Sequence, residues 1–150
     1  MKKIIPLIMI MTATLCGCQK KGESNTSSSY TEPHYQEVDD LHIEWKDLFN
    51  QQNDKYYAYV YSVMCTPCSM LREEVTTFAR SGKAHFYFIT ATDDVPFVDN
   101  ADLADSSLGA TLLENVYCYN TPTLIEITAN AVTKYSRDYY EIKDFIESFE

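Results

Sequence analysis

The sequence predicts an α/β domain: a four-stranded mixed sheet flanked by helices on both faces. Three observations predict it. A Cys-x-x-Cys stands between a strand-like run and an amphipathic helical stripe. A second strand-like run follows that helix, and a strand-helix-strand unit makes a parallel pair. Two later strand-like runs meet at a three-residue turn, which adds an antiparallel hairpin before a last helix.

Taken in order, Asp39 or Asp40 is placed to cap a first helix in which Leu41, Trp45, Leu48 and Phe49 recur at helical spacing. Residues 55–63 (KYYAYVYSV) are aromatic and β-branched on both faces, as a strand buried in mid-sheet requires. After Cys65-Thr66-Pro67-Cys68 a second helix follows, with Leu71, Val75 and Phe78 as its inner stripe and Gly82 beyond its end. Residues 84–90 (AHFYFIT) read as a strand. Residues 93–116 read as an acidic loop and then an irregular helix carrying Leu103, Leu108, Leu112 and Leu113. Residues 123–128 (TLIEIT) and 132–136 form the hairpin across Ala129-Asn130-Ala131. Asp138 and Glu141 are spaced like a capping box for a final helix with Ile142, Phe145, Ile146 and Phe149 on one face.

The 150 residues carry a net charge of −10. A surface of that sign repels nucleic acid and anionic headgroups, so neither is expected as a partner through a basic patch. Lys2 and Lys3 precede an apolar run of about a dozen residues, too short for a comfortable membrane span and right for an export signal. Leu15-Cys16-Gly17-Cys18 resembles a bacterial lipobox, which places the lipid acceptor at Cys18 and the mature protein outside the cytoplasm, anchored to the cell membrane. An ordinary secretory signal with incidental cysteines is the plainer alternative. Residues 19–37, nearly free of apolar side chains at first and rich in Ser and Thr, are expected to be a flexible tether, with the domain occupying 38–150.

Cys65 and Cys68 carry the chemistry. Only a thiolate attacks a disulfide, so one sulfur needs negative charge stabilised near neutral pH. A Cys-x-x-Cys opening a helix meets that need, because unpaired N–H groups and the positive dipole end surround the first sulfur. The second sulfur lies a turn away, in reach to resolve a mixed disulfide. Pro67 removes a backbone donor that a first turn does not use. Two other readings stand beside this one. A zinc tetrahedron needs a second close pair of ligands, and the chain supplies only Cys118, His34, His42 and His85, scattered singly; no metal and no cofactor is expected. A purely structural disulfide is the other, although a two-residue gap closes a loop too short to constrain the unfolded chain much.

Residues 60–71 (VYSVMCTPCSML) and Asn120-Thr121-Pro122-Thr123 together resemble the thioredoxin family, over roughly residues 38–150. The resemblance implies a thioredoxin-like fold, with Cys65 as exposed nucleophile and Cys68 as buried resolving cysteine. It also implies a cis-proline at Pro122 beside the disulfide, preceded by Thr121, whose backbone would hold an extended substrate chain. Thr66 and Pro67 fill the motif. Exported Gram-positive proteins called bacteriocin transport accessory proteins are similar in layout. Two positions depart from the family. Thioredoxins carry a buried acid six residues before the nucleophile, where this chain has Tyr59, and Trp just before it, where this chain has Met64. Tyrosine is a poor base at neutral pH, its ordinary pKa being about 10. Deprotonation of Cys68 is then left to water or to a carboxylate from elsewhere.

The function expected is thiol–disulfide exchange with exported proteins bearing thiols or disulfides, turned over by a separate redox partner. A non-catalytic module that binds an extended peptide or a secretion partner is the competing function. Cys118, four residues before Pro122, is expected in the core rather than as a third redox sulfur.

Overall fold

Strand β1 (Lys55–Tyr61) lies at the centre of the sheet, and every side chain from Tyr56 on is buried, as its unbroken apolar run dictates. In this computed structural model residues 35–92 and 94–149 are described. The export signal, Cys18, His34 and Asp93 lie outside the described residues, as does all but the end of the expected tether. Helix α1 (Thr66–Arg80) follows β1, then β2 (Phe86–Thr90), α2 (Ala101–Asp105), β3 (Thr123–Thr128), β4 (Ala131–Ser136) and α3 (Tyr139–Glu147). The sheet order is β2-β1-β3-β4, with β1 and β2 parallel and the other neighbours antiparallel. This is the thioredoxin-like mixed sheet expected.

Period-two alternation along β1 divides the interior into two cores. Tyr57, Tyr59 and Tyr61 face α1 and α3 with Leu71, Val75, Phe78, Phe86, Phe88 and Phe145. Tyr56, Ala58 and Val60 face the other way, with Trp45, Leu48, Cys118, Ile125 and Ile127. The hairpin turns on Ala129 and Asn130 alone, not on the three residues expected, because Ala131 already pairs with Thr128; both turn residues have positive φ (49° and 60°), the pairing that matches strand twist in a two-residue turn. Half of the capping box holds: the Glu141 N–H donates to the Asp138 carboxylate at 2.9 Å, while Glu141 Oε2 accepts from the Arg137 N–H at 2.9 Å, one residue before the N-cap, rather than from Asp138.

Three further expectations change. The first helix is absent; the segment forms two 3-10 turns, Gln36–Leu41 and Trp45–Asp47. Between them His42 pairs with Phe88 and the Ile43 N–H donates to the Phe88 carbonyl at 2.9 Å, so the outer edge of β2 takes the backbone groups a helix would have used. The tether ends earlier than composition suggests. Tyr35 is 3% exposed and Val38 is fully buried, because their apolar side chains fill the space over α1. The irregular helix shrinks to the five residues of α2 and a 3-10 turn at Leu113–Asn115, and Leu103, Leu108 and Leu112 are exposed; Ala104, Ser107 and Val116 anchor that segment instead. At the outer edge of β4, the Gly109 N–H donates to the Val132 carbonyl at 2.8 Å, and the Val132 N–H donates to that of Ala110 at 2.9 Å.

Candidate active site

The end of β1 sets the site. After Tyr61 the chain turns tightly, the Cys65 N–H donating to the Ser62 carbonyl at 3.1 Å, and delivers Cys65 as the N-cap of α1. The Cys68 N–H, one of the donors a helix start leaves free, points at Cys65 Sγ at 3.1 Å. Pro67 sits in the first turn, where its missing N–H costs nothing. Cys65 and Cys68 are disulfide-bonded, with Cα atoms 5.2 Å apart. Cys65 is half-buried, Cys68 is 1% exposed, and Met64, Thr66 and Pro67 are on the surface around them.

Strand pairing supplies the other wall. Val60 sits opposite Thr123 in the β1–β3 register, so the residues just before Thr123 must lie beside the turn that carries Cys65. The Thr121–Pro122 peptide bond is cis, and the Thr121 carbonyl oxygen is 3.2 Å from Cys65 Sγ. The expected residues Cys65, Cys68, Thr121 and Pro122 therefore come together.

Beneath Cys68 the surroundings are aromatic. Tyr59 is fully buried, and its Oη makes no hydrogen bond of normal geometry among the described residues. Burial, reinforced by neighbouring Tyr35, drives its pKa far above the ordinary tyrosine value, so it does not ionise and does not serve as a base. No carboxylate among the described residues is buried either: the buried polar side chains are Thr76, Ser107, Thr123 and Ser136. Within the described core, no buried carboxylate stands in for the acid that the resemblance leads one to expect at Tyr59.

One contact was illegible in the sequence. The Tyr35 hydroxyl donates to the Cys68 carbonyl at 2.7 Å inside the core. Its only sequence signal is an aromatic ring at the end of a polar stretch. His42, placed in a helix by its spacing, is instead half-buried beside β2; Nε2 lies 2.8 Å from the Tyr61 hydroxyl and Nδ1 3.1 Å from the Val38 carbonyl. His85 is exposed just before β2. Cys118 is a free, fully buried thiol in the second core, on the opposite face of the sheet from Cys68. Burial pushes its thiol pKa up to about 12, the reverse of what a redox-active thiol needs. No group of three or more His, Cys, Asp or Glu side chains among the described residues comes together as metal ligands. No helix among them is long and apolar enough to cross a membrane.

No protein-family model matches the chain, and no curated protein matches it. Solved structures do match. Thioredoxin f2 from Chlamydomonas reinhardtii is 12% identical, the alignment covering 73% of this chain and 95% of the algal one with a TM-score of 0.49. Oxidised mitochondrial thioredoxin 3 from Saccharomyces cerevisiae is 17% identical over 72% of this chain and 93% of its own, with a TM-score of 0.45. A mutant thioredoxin from Halobacterium salinarum is 24% identical over 73% and 88%, with a TM-score of 0.43. These are what the chain is similar to, and they do not say what it acts on.

Proposed function

We propose that the protein is a thiol–disulfide oxidoreductase acting on exported proteins from the outer side of the cytoplasmic membrane, anchored through a lipid on Cys18. The observation that carries the activity is the arrangement at α1: a half-buried Cys65 at the positive helix end, disulfide-bonded to a buried Cys68 and touching the loop of Thr121 and Pro122. In the reducing direction the Cys65 thiolate attacks a client disulfide, forming a mixed disulfide and releasing one client thiolate, which takes up a proton. The Cys68 thiolate then attacks Cys65 Sγ, releasing the second client thiolate and regenerating the Cys65–Cys68 bond. Two electrons pass from the pair to the client, and an external thiol partner must return them. The Thr121 backbone is placed to hold the client segment next to the sulfur under attack. The export signal, the lipobox and the layout shared with bacteriocin transport accessory proteins support the location and the choice of exported clients.

Insulin disulfide reduction tests the activity: Cys65→Ser abolishes it, and Cys68→Ser accumulates mixed disulfides with client. A Cys65→Ser variant as active as the wild type sinks the proposal. The reduction potential of the pair then gives direction, near about −270 mV for a reductant and about −120 mV for an oxidant. Radiolabelled palmitate, incorporated in the wild type and lost in Cys18→Ala, tests the anchor. The missing buried acid favours the second reading, a non-catalytic binding module. That reading is supported if replacing both Cys65 and Cys68 by serine leaves the biological function intact.

A further inference from the structure

Residues 35–41 run as a strap along the outside of α1 and are fastened to it at three heights. At the first turn the Tyr35 hydroxyl donates to the Cys68 carbonyl at 2.7 Å. At the second, Arg72 donates to both carboxylate oxygens of Glu37, at 3.0 and 2.8 Å, with its guanidinium 5.7 Å from the centre of the Tyr35 ring. At the last, Arg80 Nη1 donates to Asp40 at 2.9 Å and Nη2 to the Glu37 carbonyl at 2.6 Å. The lower two fastenings are exposed ion pairs, and such pairs are worth little individually. The first is different. It is buried, and its ring is wedged against Tyr61 at 4.2 Å, Phe88 at 5.5 Å and Tyr59 at 6.1 Å between centroids. The hydroxyl has little freedom to leave the Cys68 backbone.

That backbone bond is made to Cys68, not to Cys65. Cys65 Sγ has a contact that does not involve the strap, the Thr121 carbonyl at 3.2 Å, beside the Cys68 N–H at 3.1 Å. Cys68 is the residue that must stay poised while Cys65 is joined to a client, when no disulfide ties the two sulfurs together. We propose that Tyr35 is a positioning residue for the resolving cysteine, fixing the first turn of α1 so that Cys68 Sγ remains aligned on Cys65 Sγ throughout the mixed-disulfide stage. This rests on the exchange reading above. The step is Cys65–S–S–R plus Cys68–S⁻ giving Cys65–S–S–Cys68 plus R–S⁻. The Cys68 proton leaves to solvent beforehand, and R–S⁻ departs as the reduced product.

Ellman's disulfide separates the two steps. The experiment uses the full chain with Cys16 and Cys18 replaced by serine, reduced and mixed with one equivalent of reagent. Attack by Cys65 releases one thionitrobenzoate, and attack by Cys68 releases the second. For Tyr35→Phe, which keeps the ring and deletes the buried hydrogen bond, the second release is expected to slow about tenfold, the first staying within about twofold. Asp40→Asn loosens the strap at the far end of α1 and is expected to leave the second release unchanged, even where it lowers the urea midpoint. The role is overturned if Tyr35→Phe loses stability while its second release keeps the wild-type rate. It is overturned equally if both releases slow together, or if Asp40→Asn slows the second as much as Tyr35→Phe. A wild-type chain that stops after one release refutes the exchange reading itself, and the positioning role with it.

Discussion

Replacing Tyr59 by Phe should stabilise this protein. The Tyr59 hydroxyl is buried with no hydrogen bond of normal geometry among the described residues, only the nearby Tyr35 hydroxyl interacting with it, so folding strips it of water and returns little. An unsatisfied buried hydroxyl costs about 1–3 kcal/mol. The ring itself is well used, stacked on Tyr61 at 6.2 Å and edge-on to Phe88 at 5.8 Å, and phenylalanine keeps both contacts. Against the gain stands the void left by one oxygen, which at roughly 24 cal/mol per Å³ and on the order of 10–20 Å³ costs about 0.2–0.5 kcal/mol. The balance is a stabilisation of about 1–2 kcal/mol, or on the order of 5 °C in Tm for a domain of this size. Urea unfolding of the oxidised protein measures it, with the slope required to match wild type so that only the native state has changed. Because Tyr59 does not ionise, the rate of insulin reduction should stay the same. A Tyr59→Phe variant less stable than wild type by more than about 0.5 kcal/mol refutes the reasoning, since the hydroxyl would then be bonded, to a trapped water for instance.

Three further outcomes follow from the same structure. Tyr35 and Tyr56 have pKa values pushed up to about 12 by burial, and Cys118 likewise, while in the unfolded chain these groups ionise near 10 and 9. Above pH 9 the unfolded state therefore binds fewer protons than the native one, so stability is full below that pH and falls as pH rises toward 12; a urea midpoint flat from pH 8 to 11 contradicts this. Gly82, at φ +72° just beyond α1, has no atom within 4 Å of the Cβ it lacks, so Gly82→Ala should cost only the conformational term, about 1 kcal/mol by thermal unfolding. In the native reduced protein Cys118 should ignore Ellman's reagent over minutes and react only in denaturant, and prompt labelling would show the second core to be open.

How much of this could be read from the sequence depends on the range of the interactions involved. The strand and helix flanking the motif were legible because each carries its period locally: aromatic residues on both faces before Cys65, and Leu71, Val75 and Phe78 after it. The hairpin was legible because Ala129-Asn130 separates two β-branched runs. Thr121 and Pro122 could be placed beside the sulfurs only through the family resemblance, as nothing local says that Thr123 pairs with Val60. The failures are also non-local. Leu41, Trp45 and Leu48 have helical spacing, yet the unpaired edge of β2 captures the backbone between them at His42 and Ile43. Tyr35 looks like tether because its partners, Cys68, Tyr61 and Phe88, come from three distant elements. The leucines of 103–112 keep an apolar pattern with no core behind it.

The two borders of the sheet have a bearing on how the molecule behaves in company. A sheet rim with unpaired amides invites a neighbouring molecule to dock there and extend it, the first step toward fibrous or amorphous precipitate. Among the described residues, Ile43 occupies part of one rim and Gly109 and Ala110 part of the other, and the stretch of β4 beyond them presents the exposed Thr133 and Lys134. A charged lysine on that stretch opposes the approach of a like strand. Partial cover of both rims and a lysine on the remainder reduce the edge open to a second copy, and neither device draws on the sulfur pair.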